Sequence, residues 1–202
     1  VEGWVYVAQD YYPSGNLRGL ASTSDFDAIA ALQVLIEAAE GLRHAHDAGV
    51  VHGDVRPANL MLSLDGMAHL VDFVLGPRSQ AGWGSLYAAP ETAERGYQSQ
   101  PAQDVYGLGM TALFALNRGE LPVWVIRDPG RLIESVKAPE HLKRVITKAT
   151  EWDLTRRYPD VRTLLRELMS DPDLVRILAD RALERGRLSV GAGCVVRGVR
   201  DA

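Results

Sequence analysis

Lysine and cysteine are almost missing from this chain. Of its 202 residues only Lys137, Lys143 and Lys148 are lysine, all in the last third, and arginine supplies every other basic side chain. The single cysteine, Cys194, excludes an internal disulfide framework and fits a reducing compartment. No apolar run is long enough to span a bilayer: the longest, from Leu108 to Leu116, carries Thr111 inside it. The first residues do not read as a signal peptide either. With a formal net charge of -4 there is no excess of basic residues, so neither nucleic acid nor an anionic membrane is an expected partner. These absences together predict a cytoplasmic segment with no membrane contact of its own.

What is present is ample apolar content, 47% of residues, enough for the packed core of one domain or a large piece of one. The chain opens on Val1 rather than Met, directly before the strand-like Trp4-Val5-Tyr6-Val7, and the expectation is a piece of a longer protein. Tyr12-Pro13-Ser14-Gly15-Asn16 reads as a turn. A long helix follows, capped by Ser24 or Asp25, with Ile29, Leu32, Ile36, Ala39 and Leu42 at helical spacing until Gly49 stops it. Val50-Val51, Leu60-Met61-Leu62 and His69-Leu70-Val71 are short strand-like pieces, the last two joined by the turn former Asp65-Gly66. Residues 76–84 have no period, and beyond Asp104 the chain turns helical. There Val105 to Leu116 is apolar enough to lie at the centre of a core, while Leu142 to Ala149 and Val161 to Met169 are amphipathic. Pro129, Pro139 and Pro159 mark the connections, and the tail after Asp171 reads as helical to about Arg185. The fold class is therefore α+β, mainly α-helical, with small β hairpins.

The chemistry concentrates in His52-Gly53-Asp54-Val55-Arg56-Pro57-Ala58-Asn59, with Asp72-Phe73 beginning thirteen residues after Asn59. A carboxylate and an amide five residues apart in a loop, joined by a second carboxylate, are hard oxygen donors suited to a magnesium-bound polyphosphate. Taken alone, Asp54 also reads as a turn-capping residue. His44 and His46, two apart on a helix, point to different faces and do not make a metal pair. Gly191-Ala192-Gly193 in the tail lacks the strand and lysine of a phosphate loop.

The order of these pieces is the stronger signal. His46, the loop at 52–59, Asp72-Phe73-Val74, Ala89-Pro90-Glu91, Asp104-Val105-Tyr106-Gly107-Leu108-Gly109 and Arg156-Arg157-Tyr158 resemble, in the same order, the catalytic-lobe motifs of eukaryotic-like (Hanks-type) Ser/Thr protein kinases. The resemblance covers about residues 4–170. It implies a C-terminal lobe at 16–170, the end of an N-lobe and the hinge at 1–15, and a helical extension or tail at 171–202, with the rest of the N-lobe missing from the chain. It implies ATP and Mg2+ as cofactors and a protein serine or threonine as acceptor. Asp54 is then the catalytic base, Asn59 a magnesium ligand, and Asp72 the carboxylate between metal and phosphates. Arg56 takes the place of the lysine of Ser/Thr kinases, keeping the charge but with a larger, stiffer head. Backbone groups of Asp10 and Tyr12, in the link that also holds Gln9 and Tyr11, face adenine, and Met61 lies beneath it. His52 and Phe73 are structural, Glu91 and Arg157 form a buried ion pair with Arg156 a solvated neighbour, and Asp104 braces the loop. The preference for arginine over lysine points to a GC-rich, bacterial genome.

Four departures stand beside the match. Gly53 replaces the arginine that receives a phosphorylated activation segment, and Val74 replaces a glycine that permits backbone rearrangement. Between Asp72 and Glu91 the segment is short, so Gly84-Ser85-Leu86-Tyr87 fits the family only with a gap. The glycine-rich loop, strand lysine and helical glutamate of the N-lobe have no counterpart. These leave open a pseudokinase that binds partners or nucleotide without turnover. The His-Gly-Asp, Asn and Asp-Phe series also resembles aminoglycoside and choline phosphotransferases, which usually lack the Ala-Pro-Glu and central-helix motifs.

Overall fold

An aspartate starts the longest helix among the described residues. In a computed structural model, which describes residues 10–23, 26–73 and 85–184, Asp27 accepts the amide of Ala30 at 2.8 Å and opens α2 (Ala28–Asp47). The sequence-level candidates for that cap, Ser24 and Asp25, lie outside the described residues, as do the strand at 4–7, Gln9, Val74, the stretch at 76–84, Cys194 and the glycines of the tail. A short α1 (Leu17–Leu20) precedes α2, held by the Asn16 side chain on the Gly19 amide at 3.2 Å. At the other end of α2 Gly49 takes φ +75°, a left-handed stop that suits glycine.

Leu32, Ala39 and Leu42 of α2 are fully buried as the spacing predicts, while Ile29 and Ile36 are only partly covered. The buried stripe is rotated toward Ala31, Val34, Leu35 and Ala38, because a second layer packs on the neighbouring face. The antiparallel hairpin β1 (Leu60–Leu62) and β2 (Ala68–Leu70) packs on α1 and α2, with Leu60 opposite Leu70, Met61 opposite His69 and Leu62 opposite Ala68. Its turn uses Gly66 at φ +77°. Val50-Val51 joins no ladder among the described residues, because the hairpin has no third strand there to pair it.

The helices of the second half are α3 (Pro101–Leu116), α4 (Pro129–Ser135), α5 (Glu140–Ala149), α6 (Val161–Leu168) and α7 (Pro172–Glu184). Every residue of α3 from Ala102 to Leu116 is buried, and the helix packs against α2, α5 and α6. Each fully covered large side chain, such as Met110 and Leu113, contributes about 1.5–3 kcal/mol. Two glycines let α3 be approached closely on both sides. A Cβ at Gly107 would lie 2.7 Å from the Val55 carbonyl oxygen, and one at Gly109 would lie 2.9 Å from the Ala149 Cβ. Pro129 is not a mere connection: Asp128 caps the Arg131 amide at 3.1 Å and proline occupies the first turn, a start signal that opens α4. Beyond α6, α7 buries Leu174 and Leu178, and Arg181 holds both carboxylate oxygens of Asp27 at 2.7 Å. No helix among the described residues is long and apolar enough to cross a membrane.

Candidate active site

The loop at 52–59 is shaped by its backbone. Gly53 is buried with φ +82°, a conformation that costs glycine little. Pro57–Asn59 forms a single tight helical turn, closed by the Asn59 amide on the Arg56 carbonyl at 3.0 Å, and delivers the chain into β1. One further ladder bond, from the Val71 amide to the Asn59 carbonyl at 3.0 Å, brings the residue before Asp72 level with Asn59. Asp72 itself is exposed and has φ +62°, a left-handed geometry uncommon outside glycine.

Asp104, at the start of α3, anchors the loop from below. Its carboxylate accepts the amides of His52 and Gly53, each at 2.8 Å, and Nε2–H of His46 at 2.9 Å, with the side chain 1% exposed. His52 is fully buried and links two segments: Nδ1 accepts the Asp54 amide at 3.2 Å, so Nε2 carries the proton and donates to the Val71 carbonyl at 3.0 Å. Burial pushes the His52 imidazole below its ordinary range, against the opposing pull of Asp104, and keeps it neutral. Its ring lies 4.3 Å from that of Phe73, centroid to centroid.

Asn59 is buried, and its amide nitrogen donates to the Asp54 carbonyl at 2.9 Å and to the Asp54 carboxylate at 3.1 Å. Both Asn59 protons are thereby engaged, so its side-chain oxygen is the group left for a cation. Asp54 is half-buried, as is Arg56. Tyr87 closes this corner from the other side. Its ring stands edge-on to Phe114 at 6.4 Å, its carbonyl packs at Gly107, and burial pushes its hydroxyl up to about 12.

Glu91 and Arg157 meet in the interior. The guanidinium grips both carboxylate oxygens, at 2.7 and 3.1 Å, and its other protons go to the carbonyls of Ala102 at 3.1 Å and Glu151 at 3.0 and 2.9 Å. All five donors of Arg157 are satisfied, and the ring of Tyr106 covers its face at 5.0 Å. Arg156 is exposed and reaches Glu151 at 3.5 Å.

Of the residues expected near adenine, Met61 lies in the middle of β1 and Tyr12 packs on its ladder partner His69. Asp10 is exposed, and Tyr12 is half-buried with its ring 5.0 Å from that of His69. Because Met61 and His69 are directly opposed in the middle of the ladder, Tyr12 packs beside the pair that they form. The structure thus brings Asp54, Asn59 and the Asp72 backbone to one place and sets Tyr12 and Met61 along the same hairpin, while Glu91 and Arg157 lie apart in the helical base. Sequence reasoning missed the His46–Asp104 bond and the role of Glu37, whose carboxylate accepts the Ala68 amide at 2.8 Å. The i to i+4 spacing of Gln33 and Glu37 on α2 was the only local hint of the latter. Among the described residues no three His, Cys, Asp or Glu side chains cluster as a metal site, which leaves a two-carboxylate and amide arrangement as the oxygen-donor set.

Comparison with known proteins agrees with this architecture. Residues 2–185 match the family described as protein kinase domain. The probable serine/threonine-protein kinase PknB of Lactococcus lactis is 26% identical over 72% of this chain and 26% of its own length. Serine/threonine-protein kinase PknJ of Mycobacterium tuberculosis is 35% identical over 60% of this chain and 22% of its own. For serine/threonine-protein kinase STE20 of Candida glabrata the figures are 27% identity, 90% of this chain and 21% of its own. The chain thus spans about a quarter of the length of these relatives. It belongs to the protein kinase family, with a Hanks-type kinase domain like that of its bacterial relatives.

Proposed function

We propose that this chain is the C-terminal lobe of a serine/threonine protein kinase, which transfers the terminal phosphoryl group of ATP to a protein hydroxyl. Its boundaries in this reading are the end of the N-lobe and the hinge at 1–15, the lobe at 16–170 and a helical extension or tail at 171–202. The single observation that carries it is the state of Asp54. The carboxylate is half-buried and fixed by one Asn59 proton at 3.1 Å, so it keeps acceptor capacity for a substrate hydroxyl. Asp54 orients that hydroxyl and takes its proton, and Arg56 on the same loop places positive charge near the transferred group.

The donors suit Mg2+. Asn59 offers an amide oxygen whose nitrogen is already engaged, and exposed Asp72 offers a carboxylate, both hard ligands. When bound, the ion neutralises phosphate charge and aligns the groups. Asp10 and Tyr12 offer backbone groups to adenine, and Met61 an apolar floor. Asp104 and His52 hold the loop rather than react, and Glu91 with Arg157 ties the segment ending at Ala89 to the helical base. A phosphate-anchoring lysine has no candidate before Lys137, so the reading requires that part of the site to come from outside this sequence. The cellular site in this reading is cytoplasmic.

A second reading is a pseudokinase that binds nucleotide or partners. Gly53 favours it: buried at φ +82° beside the base, it offers no side chain to receive a phosphorylated segment. One experiment separates the readings. The natural full-length protein is given labelled ATP, Mg2+ and generic protein substrates, with aminoglycosides and choline as a parallel panel. Protein phosphorylation that falls by about 10²–10⁴-fold in Asp54→Asn is the expected result. Equal transfer by Asp54→Asn rejects the base, and no transfer by the wild type favours the pseudokinase.

A further inference from the structure

The hairpin that carries the two metal-ligand candidates is small, and small hairpins are unstable alone. Each strand has three residues, a length at which an isolated pair is marginal and its open edges need partners. Asn59 immediately precedes β1, and Asp72 comes two residues after β2. Any slide or tilt of one strand against its surroundings therefore moves one donor relative to the other.

The ladder shows which groups need help. Bonds from Val71 to Asn59 and from Ser63 to Met67, both 3.0 Å, set the antiparallel phase, so the amides of Ala68 and Leu70 point away from β1. On the far side of β1 the chain near the turn supplies the partner, since the Leu62 amide donates to the Gly15 carbonyl at 2.9 Å. On the far side of β2 a side chain does so. Glu37 of α2 accepts the outward Ala68 amide at 2.8 Å with one carboxylate oxygen, and its other oxygen accepts Nε2–H of Gln33 at 3.1 Å. One turn further along α2, the helix lies close to Leu70: a Cβ at Gly41 would be in ordinary contact with the Leu70 side chain, at 3.6 Å. The inner end of the same strand is held by His52 on the Val71 carbonyl at 3.0 Å.

We infer that Glu37 is a positioning residue: it fixes the outer edge of β2 so that Asp72 and Asn59 face one cation together. The inference rests on the kinase reading of those two residues. Glu37 touches no reacting group and acts through the strand. A charged acceptor on a backbone amide is stronger and more directional than a neutral one, which suits this task.

The test uses the natural full-length protein and the Mg2+ dependence of binding a fluorescent, non-hydrolysable ATP analogue. Glu37→Leu and Glu37→Asp, which remove the acceptor or draw it back by one methylene, raise the Mg2+ midpoint by about tenfold or more. Glu37→Gln keeps an oxygen at the same reach and stays within about threefold of wild type. Without nucleotide, the Ala68 amide exchanges with solvent faster in Glu37→Leu than in Glu37→Gln. KM for the protein substrate is unchanged in all three. A folded Glu37→Leu with the wild-type midpoint overturns the inference, as do equal shifts for Leu and Gln. If Glu37→Leu does not fold, a wild-type midpoint for Glu37→Asp overturns it. A wild type that shows no Mg2+-dependent binding defeats the kinase reading and the inference with it, an outcome distinct from failure of the variants alone.

Discussion

The protein holds two sets of carboxylates in opposite conditions. In the helical base, Glu91 and Asp104 are buried and saturated: one takes a bidentate guanidinium, the other three N–H donors. At the loop and hairpin, Asp54 is half-buried with one side-chain donor from Asn59, and Asp72 is exposed. A buried carboxylate without partners would cost several kcal/mol, so saturation is the condition of a structural group. A carboxylate that keeps free acceptor capacity at the surface has no such duty and is available to a ligand. The same residue type is therefore assigned to scaffold or to chemistry by its surroundings.

Exchanging the two conditions is the sharpest way to break that contrast. Asp54→Asn lowers phosphotransfer by about 10²–10⁴-fold while the urea midpoint of unfolding stays near wild type. Arg157→Met does the reverse to the base, leaving Glu91 buried without its partner. It destabilises the fold by about 3–5 kcal/mol in urea unfolding. A variant of either site that lost activity and stability equally would erase the distinction.

A smaller effect belongs to His52, which stands between the two sets. Burial holds its folded pKa down, so below the ordinary imidazole value of about 6.5 the unfolded chain takes up a proton that the native state resists. Stability contributed by the neutral ring is intact above that value and declines as pH falls toward the depressed native pKa. Urea midpoints for wild type against His52→Asn from pH 7.5 downward check this, and a constant difference between them refutes it.

The smallest expected effect lies at the join of α7 and α2. Burial raises the Asp27 carboxyl, but the Arg181 guanidinium and the Ala30 amide outweigh it, and the net pKa is lowered. A depressed acid contributes stability above its unfolded pKa and loses it as pH falls through the folded one. Asp27 is more than half exposed, so Arg181→Ala costs under about 1 kcal/mol near neutrality. In thermal melts, that difference shrinks in the acid range as Asp27 is protonated.

Local sequence carried much of this. Helical spacing located α2, α3, α5 and α6, and Asp65-Gly66 located the hairpin turn, because periodicity and turn chemistry act over a few residues. It misjudged the cap of α2, where Asp27 rather than Ser24 or Asp25 holds the first turn, since three acceptors within four residues offer the same local chemistry and only packing selects among them. It overlooked α4 because proline reads equally as a stop and as a first-turn residue. Of the candidate site, the residue types and spacing of Asp54, Asn59 and Asp72 were legible, and so was His46 as a member of the motif series, whereas its bond to Asp104 and the role of Glu37, an ordinary polar residue on a helix, were not.

The sequence by itself determined the family, through the order of its motifs, and which residue types the loop and hairpin carry. Tertiary structure alone decided which carboxylates are satisfied. The bonds that do so join residues 66 apart at Glu91–Arg157, 52 apart at His52–Asp104 and 31 apart at Glu37–Ala68. No local preference encodes such distances: they follow from packing α2, α3 and the hairpin against one another, and that packing sets which acceptors are enclosed and which stay open.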